Sequence, residues 1–127
     1  VYSYLLPKDF SHLYIGRVAS ANDRIAEAIA VIRAEWTRMA DSGVTQDELR
    51  RAKTYLTGSY PLRFDGNGPI ANIMVGMQVQ GLPVAYINNR NHKINAVTLQ
   101  DANRVARQLL DPDGLHFVVG GRPKVLD

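Results

Sequence analysis

The sequence predicts an α+β fold in which an antiparallel sheet carries helices packed on one face. Three observations lead to this class: two strand-like runs open the chain, four or five segments with helical spacing follow, and a short apolar run closes it. Helices that bury one stripe against one face of a sheet form a common two-layer architecture. With 127 residues, 46% of them hydrophobic, the chain has the size of one domain or of a fragment of a larger one.

The opening runs, residues 1–7 and 12–19, predict a β-hairpin with a loop of about five residues. Tyr2, Tyr4 and Leu6 would share one face of it. The first strand has no earlier partner in the sequence, so we expect it to form an exposed edge. The closing run, Leu115 to Gly121, predicts a buried third strand.

The first two helices are predicted from their caps and their apolar spacing. Ser20 or Asn22 can cap the first helix, which Gly43 ends. Thr45 and Glu48 have the spacing of a capping box, which predicts the start of the second helix. The expected buried stripes are Ile25, Ile29, Ile32, Trp36 and Met39 in the first helix, and Leu49, Ala52 and Leu56 in the second.

The three later helical segments are predicted from different kinds of signal. Ile70 to Gln80, with Pro69 in the first turn, is apolar nearly all round, so we expect it to be covered on two sides. Its Met74 and Met77 are typical of a buried core or of a partner-binding surface. Residues 84–97 favour a short helix and a turn. Thr98 caps the last helix, whose expected buried residues are Leu99, Ala102, Val105, Ala106 and Leu109.

Composition narrows the classes of partner. The chain has 15 Lys and Arg against 12 Asp and Glu, a net charge of +3, and the basic residues are dispersed among acidic ones. A nucleic-acid face needs a basic stripe with stacking aromatics, so we expect no nucleic-acid partner. No apolar run approaches the roughly 20 residues of a membrane span, so we expect none. Cysteine is absent, which excludes disulfides, thiolate zinc ligands and a cysteine nucleophile from this chain.

Candidate catalytic and metal-binding motifs all have simpler structural interpretations. Residues 66–71 match the letters G-x-G-x-x-A of a dinucleotide loop, but no strand precedes them and no acidic residue follows until Asp101. Neither a metal-binding histidine pair nor a G-x-S-x-G elbow occurs. We therefore assign no catalytic and no metal-ligating residue to this chain. The histidines are His12, His92 and His116, and the carboxylates considered for acid–base work are Glu27, Glu35, Asp47 and Glu48, which suit solvated helix faces.

Three segments in order resemble one family: VTQDELRRAKTYLTGSYPLRFD, an apolar helix ending in GLP, and VTLQDANRVARQLLDPDGLHFVVGG. The chain is similar to the C-terminal domain of bacterial members of the insulinase, pitrilysin and mitochondrial processing peptidase family of zinc metallopeptidases. The resemblance implies that residues 1–127 are a partial C-terminal domain, truncated at its N-terminal side. The compartment is left open between the bacterial periplasm and the cytoplasm. The domain would have the two-layer, ferredoxin-like arrangement of a metallopeptidase half.

The resemblance also implies where the chemistry lies. Zinc and its H-x-x-E-H helix would belong to an N-terminal domain or to a catalytic partner chain, while the C-terminal domain closes the chamber that holds the peptide substrate. The family's Arg and Tyr that assist substrate binding would lie before Val1. We therefore assign no substrate-binding residue, and neither Tyr2 nor Arg63 is taken in their place.

The leading hypothesis is a non-catalytic domain that walls the peptide-binding chamber and packs on the zinc-binding domain. The alternative is a catalytically inactive partner subunit of the same fold, used for assembly. A nucleic-acid binder is a third interpretation, which predicts salt-dependent affinity for RNA or DNA. Self-association through the first strand or through the Met74/Met77 helix is expected of the isolated chain.

Overall fold

The chain adopts an α+β fold in which helices pack on a small antiparallel sheet, as a computed structural model shows for residues 1–122. A two-stranded hairpin comes first, and the predicted order of helices follows it. The elements are β1 (Tyr2–Pro7), β2 (His12–Arg17), α1 (Ile25–Ser42), α2 (Gln46–Gly58), a short 3-10 helix (Pro61–Phe64), α3 (Asn67–Val79), α4 (Tyr86–Ala96) and α5 (Leu99–Leu109).

The chain divides into two compact units. Of the described residues, one unit contains residues 1–42 together with residues 106–122, and the other contains Gly43–Val105. The hairpin and α1 belong to the first unit, and α2, α3 and α4 belong to the second. Buried hydrophobic side chains within the described residues are few: Tyr60, Met77, Ala106 and Leu110.

The predicted hairpin is confirmed. β1 and β2 pair antiparallel with Tyr4 opposite Ile15, and residues 8–11 form the loop. The loop is closed by a hydrogen bond from the Lys8 N–H to the Ser11 carbonyl at 3.0 Å. The Tyr14 ring stacks on Trp36 with centroids 5.4 Å apart, which joins α1 to the hairpin.

Helix α1 has the predicted stripe. Its five stripe residues are half-buried, while most of its other side chains are exposed. Asn22, one of the two candidate caps, contacts the C-terminal segment: its Oδ1 accepts a hydrogen bond from the Arg122 N–H at 3.3 Å. Asn22 therefore ties the C-terminal segment to the start of α1.

The prediction of a third strand is wrong. Residues 115–121 form no strand within the described part of the chain. The side chains still alternate, with Leu115, Phe117 and Val119 half-buried and Val118 fully exposed. Phe117 lies under the Arg33 guanidinium, 4.9 Å from its carbon to the ring centroid. The apolar alternation thus matches the side chains that are partly buried, whereas a strand also needs a neighbouring strand to supply its hydrogen bonds.

The capping box of α2 is confirmed, but its predicted buried side is partly wrong. Thr45 Oγ1 accepts from the Glu48 N–H at 3.2 Å, and Glu48 Oε2 accepts from the Thr45 N–H at 2.7 Å. Leu49 is half-buried, but Ala52 and Leu56 are exposed. The side turned toward α4 instead carries Lys53 and Thr57, because α4 offers polar partners there.

Gly43, which follows α1, is required by a close approach. Its φ is +71°, and a Cβ at this position would lie 2.5 Å from Asn103 Oδ1. That same oxygen accepts a hydrogen bond from the Val44 N–H at 2.7 Å. Any side chain at position 43 would therefore meet both backbone strain and a steric clash.

Helix α5 starts as predicted and buries a slightly different stripe. Leu99 and Ala102 are half-buried and Ala106 is buried, whereas Val105 and Leu109 are 38% and 66% exposed. Leu110, the residue after the helix, is buried in place of Leu109. No helix of residues 1–122 is both long and apolar enough to cross a membrane.

The start of α5 gives a prediction about pH. A hydrogen bond from the Thr98 hydroxyl to Asp101 Oδ2 (2.6 Å) is the largest cause that lowers the pKa of Asp101 below its usual 3.8, followed by the Thr98 N–H at 3.2 Å and then by Arg104. A carboxylate with a lowered pKa stabilises the fold above its unfolded pKa, and this contribution is lost as the pH falls through the folded pKa. We expect Asp101→Asn to lower the melting temperature at pH 6, and we expect this difference to shrink as the pH falls below 3.8.

Circular dichroism melts of both proteins between pH 2.5 and 7 measure this difference. A constant difference over the whole range would show that the charge of Asp101 does not stabilise α5.

Candidate functional site

The candidate site is the outward side of α3. Met77 is buried and Met74 is half-buried, but Val75 and Val79 are 59% and 79% exposed. The expectation that this helix is covered on two sides is therefore wrong for the described residues. One side packs within the second unit, and an apolar side remains in contact with solvent.

Glycine and proline define the two ends of α3. Gly66 precedes the helix with φ +92°, and Pro69 lies in the first turn, where an N–H is not needed. At the other end, the Leu82 N–H donates to the Met77 carbonyl at 2.9 Å and the Gly81 N–H to the Gln78 carbonyl at 3.1 Å. With Gly81 at φ +66°, these two bonds form a Schellman motif, which brings the residue after the glycine back to the last turn.

This turn creates an open apolar groove beside the exposed side of α3. The groove has a volume of about 330 Å³, enough for one or two apolar side chains rather than for a helix. We call the exposed residues of α3 and this groove the α3 face. The groove is lined by Met74, Val75, Met77, Gln78, Leu82, Pro83 and Val84.

A reciprocal contact between α2 and α4 supports the unit that carries the α3 face. Arg90 Nη1 and Asn91 Nδ2, both on α4, donate to the Leu56 and Thr57 carbonyls at 3.0 and 3.2 Å. In return, Lys53 Nζ on α2 donates to the Asn95 carbonyl at 2.8 Å. The last carbonyls of a helix have no partner within it, so each helix here caps the C-terminal end of the other.

The contact extends from Arg90 to the residues that lead into α3. The Arg90 guanidinium lies 4.2 Å from the Tyr60 ring centroid, and Tyr60 is buried. Tyr60 in turn meets Phe64 of the 3-10 helix edge to face, with centroids 5.2 Å apart. This series of contacts positions the segment from which α3 starts.

The segment of the chain that contains the α3 face carries charge of one sign. Residues 66–100 contain no carboxylate, while Arg90 and Lys93 are cationic. Lys93 Nζ lies 5.4 Å from the Tyr86 ring, and the Tyr86 N–H donates to the carbonyl of groove residue Pro83 at 2.8 Å. A partner of this face is therefore expected to be apolar where it meets α3 and neutral or acidic around that contact.

The carboxylates considered for catalysis have structural partners. Glu27 pairs with Arg24 at 3.1 Å, Glu35 pairs with Arg38 at 2.8 Å, and Asp47 pairs with Arg50 and Arg51 on its own helix. Glu48 completes the capping box of α2. These contacts agree with solvated helix faces rather than with a carboxylate pair that shares a proton.

The remaining motifs also have structural roles or are exposed. Residues 66–71 form the start of α3 and follow a 3-10 helix, which confirms the interpretation as a helix-start turn. His12, His92 and His116 are exposed. Among residues 1–122, no three His, Cys, Asp or Glu side chains lie close enough to hold a metal ion. Tyr2 stacks on Tyr4 in β1, and Arg63 is exposed on the 3-10 helix.

The Schellman turn gives a prediction about stability, which compares Gly81 in the turn with Gly76 inside α3. A Cβ at Gly81 or at Gly76 would meet nothing within 4 Å, so only backbone conformation separates them. We expect Gly81→Ala to lower the free energy of unfolding by about 1 kcal/mol, because of its left-handed φ. Gly76→Ala should raise that free energy by about 0.5–1 kcal/mol, since alanine favours a helix interior.

Urea unfolding of the two variants and the parent chain measures both effects. Equal changes of the same sign would contradict the role assigned to the turn.

The α2–α4 contact gives a second prediction. Arg90→Ala removes a charged cap and a cation–π contact, so we expect a loss of about 1–2 kcal/mol in the free energy of unfolding. Arg63→Ala is the matched control, since its side chain is exposed, and should change stability by less than about 0.5 kcal/mol. A loss from Arg90→Ala no larger than that of the control would show that the cap contributes nothing.

Comparison with known proteins gives no assignment: no protein-family model, no curated protein and no solved structure matches this chain significantly.

Proposed function

We propose that this chain is a non-catalytic part of the C-terminal domain of a zinc metallopeptidase. It walls the peptide-binding chamber and packs on the zinc-binding domain, or on a catalytic partner chain, through the α3 face. The proposal combines the sequence resemblance with one structural observation, the apolar side of α3 that is left uncovered in the described residues.

The uncovered side of α3 supports a partner whose contacting surface is apolar, as the side chains of a protein core are. Val75 and Val79 are more than half exposed on a helix with no charged side chain. Contiguous apolar surface beside a groove marks interaction sites in soluble proteins. A neighbouring domain that covers this side would give α3 the two-sided burial that its sequence predicts.

The chemistry is assigned to the other domain. In a zinc peptidase, the metal activates a water for attack on the peptide bond while a glutamate acts as base. The described residues of this chain gather no suitable donor set, so no step of that reaction is assigned to them. Their role is to bind the catalytic domain and to restrict access to it.

The first experiment compares the intact parent protein with the 127-residue chain. We expect zinc and peptide hydrolysis in the parent and neither in the chain, because the catalytic residues are supplied from outside it. Metal content by mass spectrometry and cleavage of a fluorogenic peptide library measure both. Zinc-dependent turnover by the chain alone would sink the proposal. Absence of zinc from both would favour the alternative, an inactive assembly subunit.

The second experiment tests the α3 face directly. The double variant Val75→Asp/Val79→Asp places two charges on the proposed interface, so we expect its affinity for the purified zinc-binding domain to fall more than about tenfold. Val118→Asp is the matched control, because Val118 is fully exposed and lies in the other unit. Isothermal titration calorimetry measures both affinities. Equal affinity of the two variants would exclude the α3 face as the interface.

A further inference from the structure

We propose that the outer edge of β1 is a self-association site, where two copies of this chain join antiparallel into one four-stranded sheet. This inference is independent of the proposed function, since it concerns the first unit and not the α3 face. It selects β1 over the Met74/Met77 helix as the surface of self-association. Its occupant is a second copy of the same strand.

The hydrogen-bond pattern of the hairpin shows which groups lie on the outer edge. The Lys8 N–H bonds to Ser11, and bonded pairs alternate along an antiparallel ladder. Leu6, Tyr4 and Tyr2 therefore direct their backbone groups toward β2. The N–H and C=O groups of Ser3 and Leu5 point away from β2, and Pro7 lies in the same series but has no N–H to offer.

No strand covers this outer edge among residues 1–122, since β1 pairs only with β2 there. Proteins usually protect such an edge with charged side chains, a central proline or a bulge. β1 has no charged residue, its register with β2 is continuous, and its proline stands at the end. Tyr2 and Leu5 are 58% and 68% exposed, so apolar side chains accompany the open backbone.

A second copy of β1 fits this edge better than a charged strand because the edge is uncharged and can pair with itself. A two-fold axis at Tyr4 places Ser3 of one copy opposite Leu5 of the other. Each such pair exchanges two hydrogen bonds, which gives four bonds in total and uses every outward N–H of these two residues. No like charges meet across the axis, since β1 carries none.

The pairing also adds to the stability of the hairpin. A two-stranded sheet is stabilised in water by packing on a helix, as the Tyr14–Trp36 contact provides here, and further strands with an apolar face stabilise it more. In the four-stranded sheet, Tyr2 would lie opposite Leu6 of the other copy on a shared face. The exposed aromatic and aliphatic surface of β1 then becomes cross-strand contact.

Cysteine cross-linking tests the register, because the chain has no cysteine of its own. The central Tyr4 pair is not hydrogen-bonded, so its Cα atoms would lie about 4.5 Å apart, within the range of a disulfide. We expect Tyr4→Cys to form a covalent dimer under mild oxidation at least about tenfold faster than Val75→Cys, an exposed control on α3. Cross-linking of Val75→Cys at an equal or faster rate would overturn the proposal.

Light scattering and sedimentation of the unmodified chain provide a second measurement. We expect a concentration-dependent mass that approaches twice the 14.1 kDa of one chain. Leu5→Pro removes an outward N–H that the hairpin does not use, so it should raise the dimer dissociation constant at least about tenfold. Leu5→Thr keeps that N–H and should change the constant less than about threefold.

Circular dichroism checks that both variants retain the fold. A monomer at all concentrations up to the millimolar range, or equal dissociation constants for the two variants, would overturn the proposal.

Discussion

The structure of the second unit depends on the way α2 and α4 satisfy each other's helix ends. A helix end leaves carbonyls without partners, and burial without such partners costs about 1–3 kcal/mol for each group. Here Arg90 and Asn91 supply donors for the end of α2, while Lys53 supplies one for the end of α4. Polar side chains thus take the place of an apolar seam, which explains why Leu56 stays exposed. Through Tyr60, the same arginine also positions the segment that precedes α3.

The features that the sequence predicts best are those with local causes. The Thr45/Glu48 and Thr98/Asp101 caps each need only residues three positions apart, and both are present. The hairpin and the stripe of α1 follow from spacing within one element. For residues 84–97, by contrast, the sequence favours a short helix and a turn, yet one continuous helix spans Tyr86–Ala96 and its Asn91 contacts α2. Such a contact depends on residue 57, which no local window of α4 contains.

The wrong predictions share a cause that is not local. Residues 115–121 have the alternation of a strand, but strand formation needs a neighbour that the described residues do not place beside them. Because α3 is apolar nearly all round, its sequence predicts burial on two sides, but only one side has a partner among the described residues. Of the candidate site, the sequence identified the Met74/Met77 helix as core or interface. It did not reveal the groove, which is formed by the backbone turn at Gly81, although the Gly-Leu-Pro run was a signal for it.

At the end of α3, the residue that the fold requires differs from the residues that are exposed for binding. The hydrogen bonds of the Schellman turn join backbone groups only, and its one strict side-chain requirement is the glycine at position 81. The exposed valines of α3 take no part in those hydrogen bonds, so they are able to change during evolution while the turn persists. A family of such chains would therefore keep one framework and diverge rapidly at positions 75 and 79, each member matching its own partner.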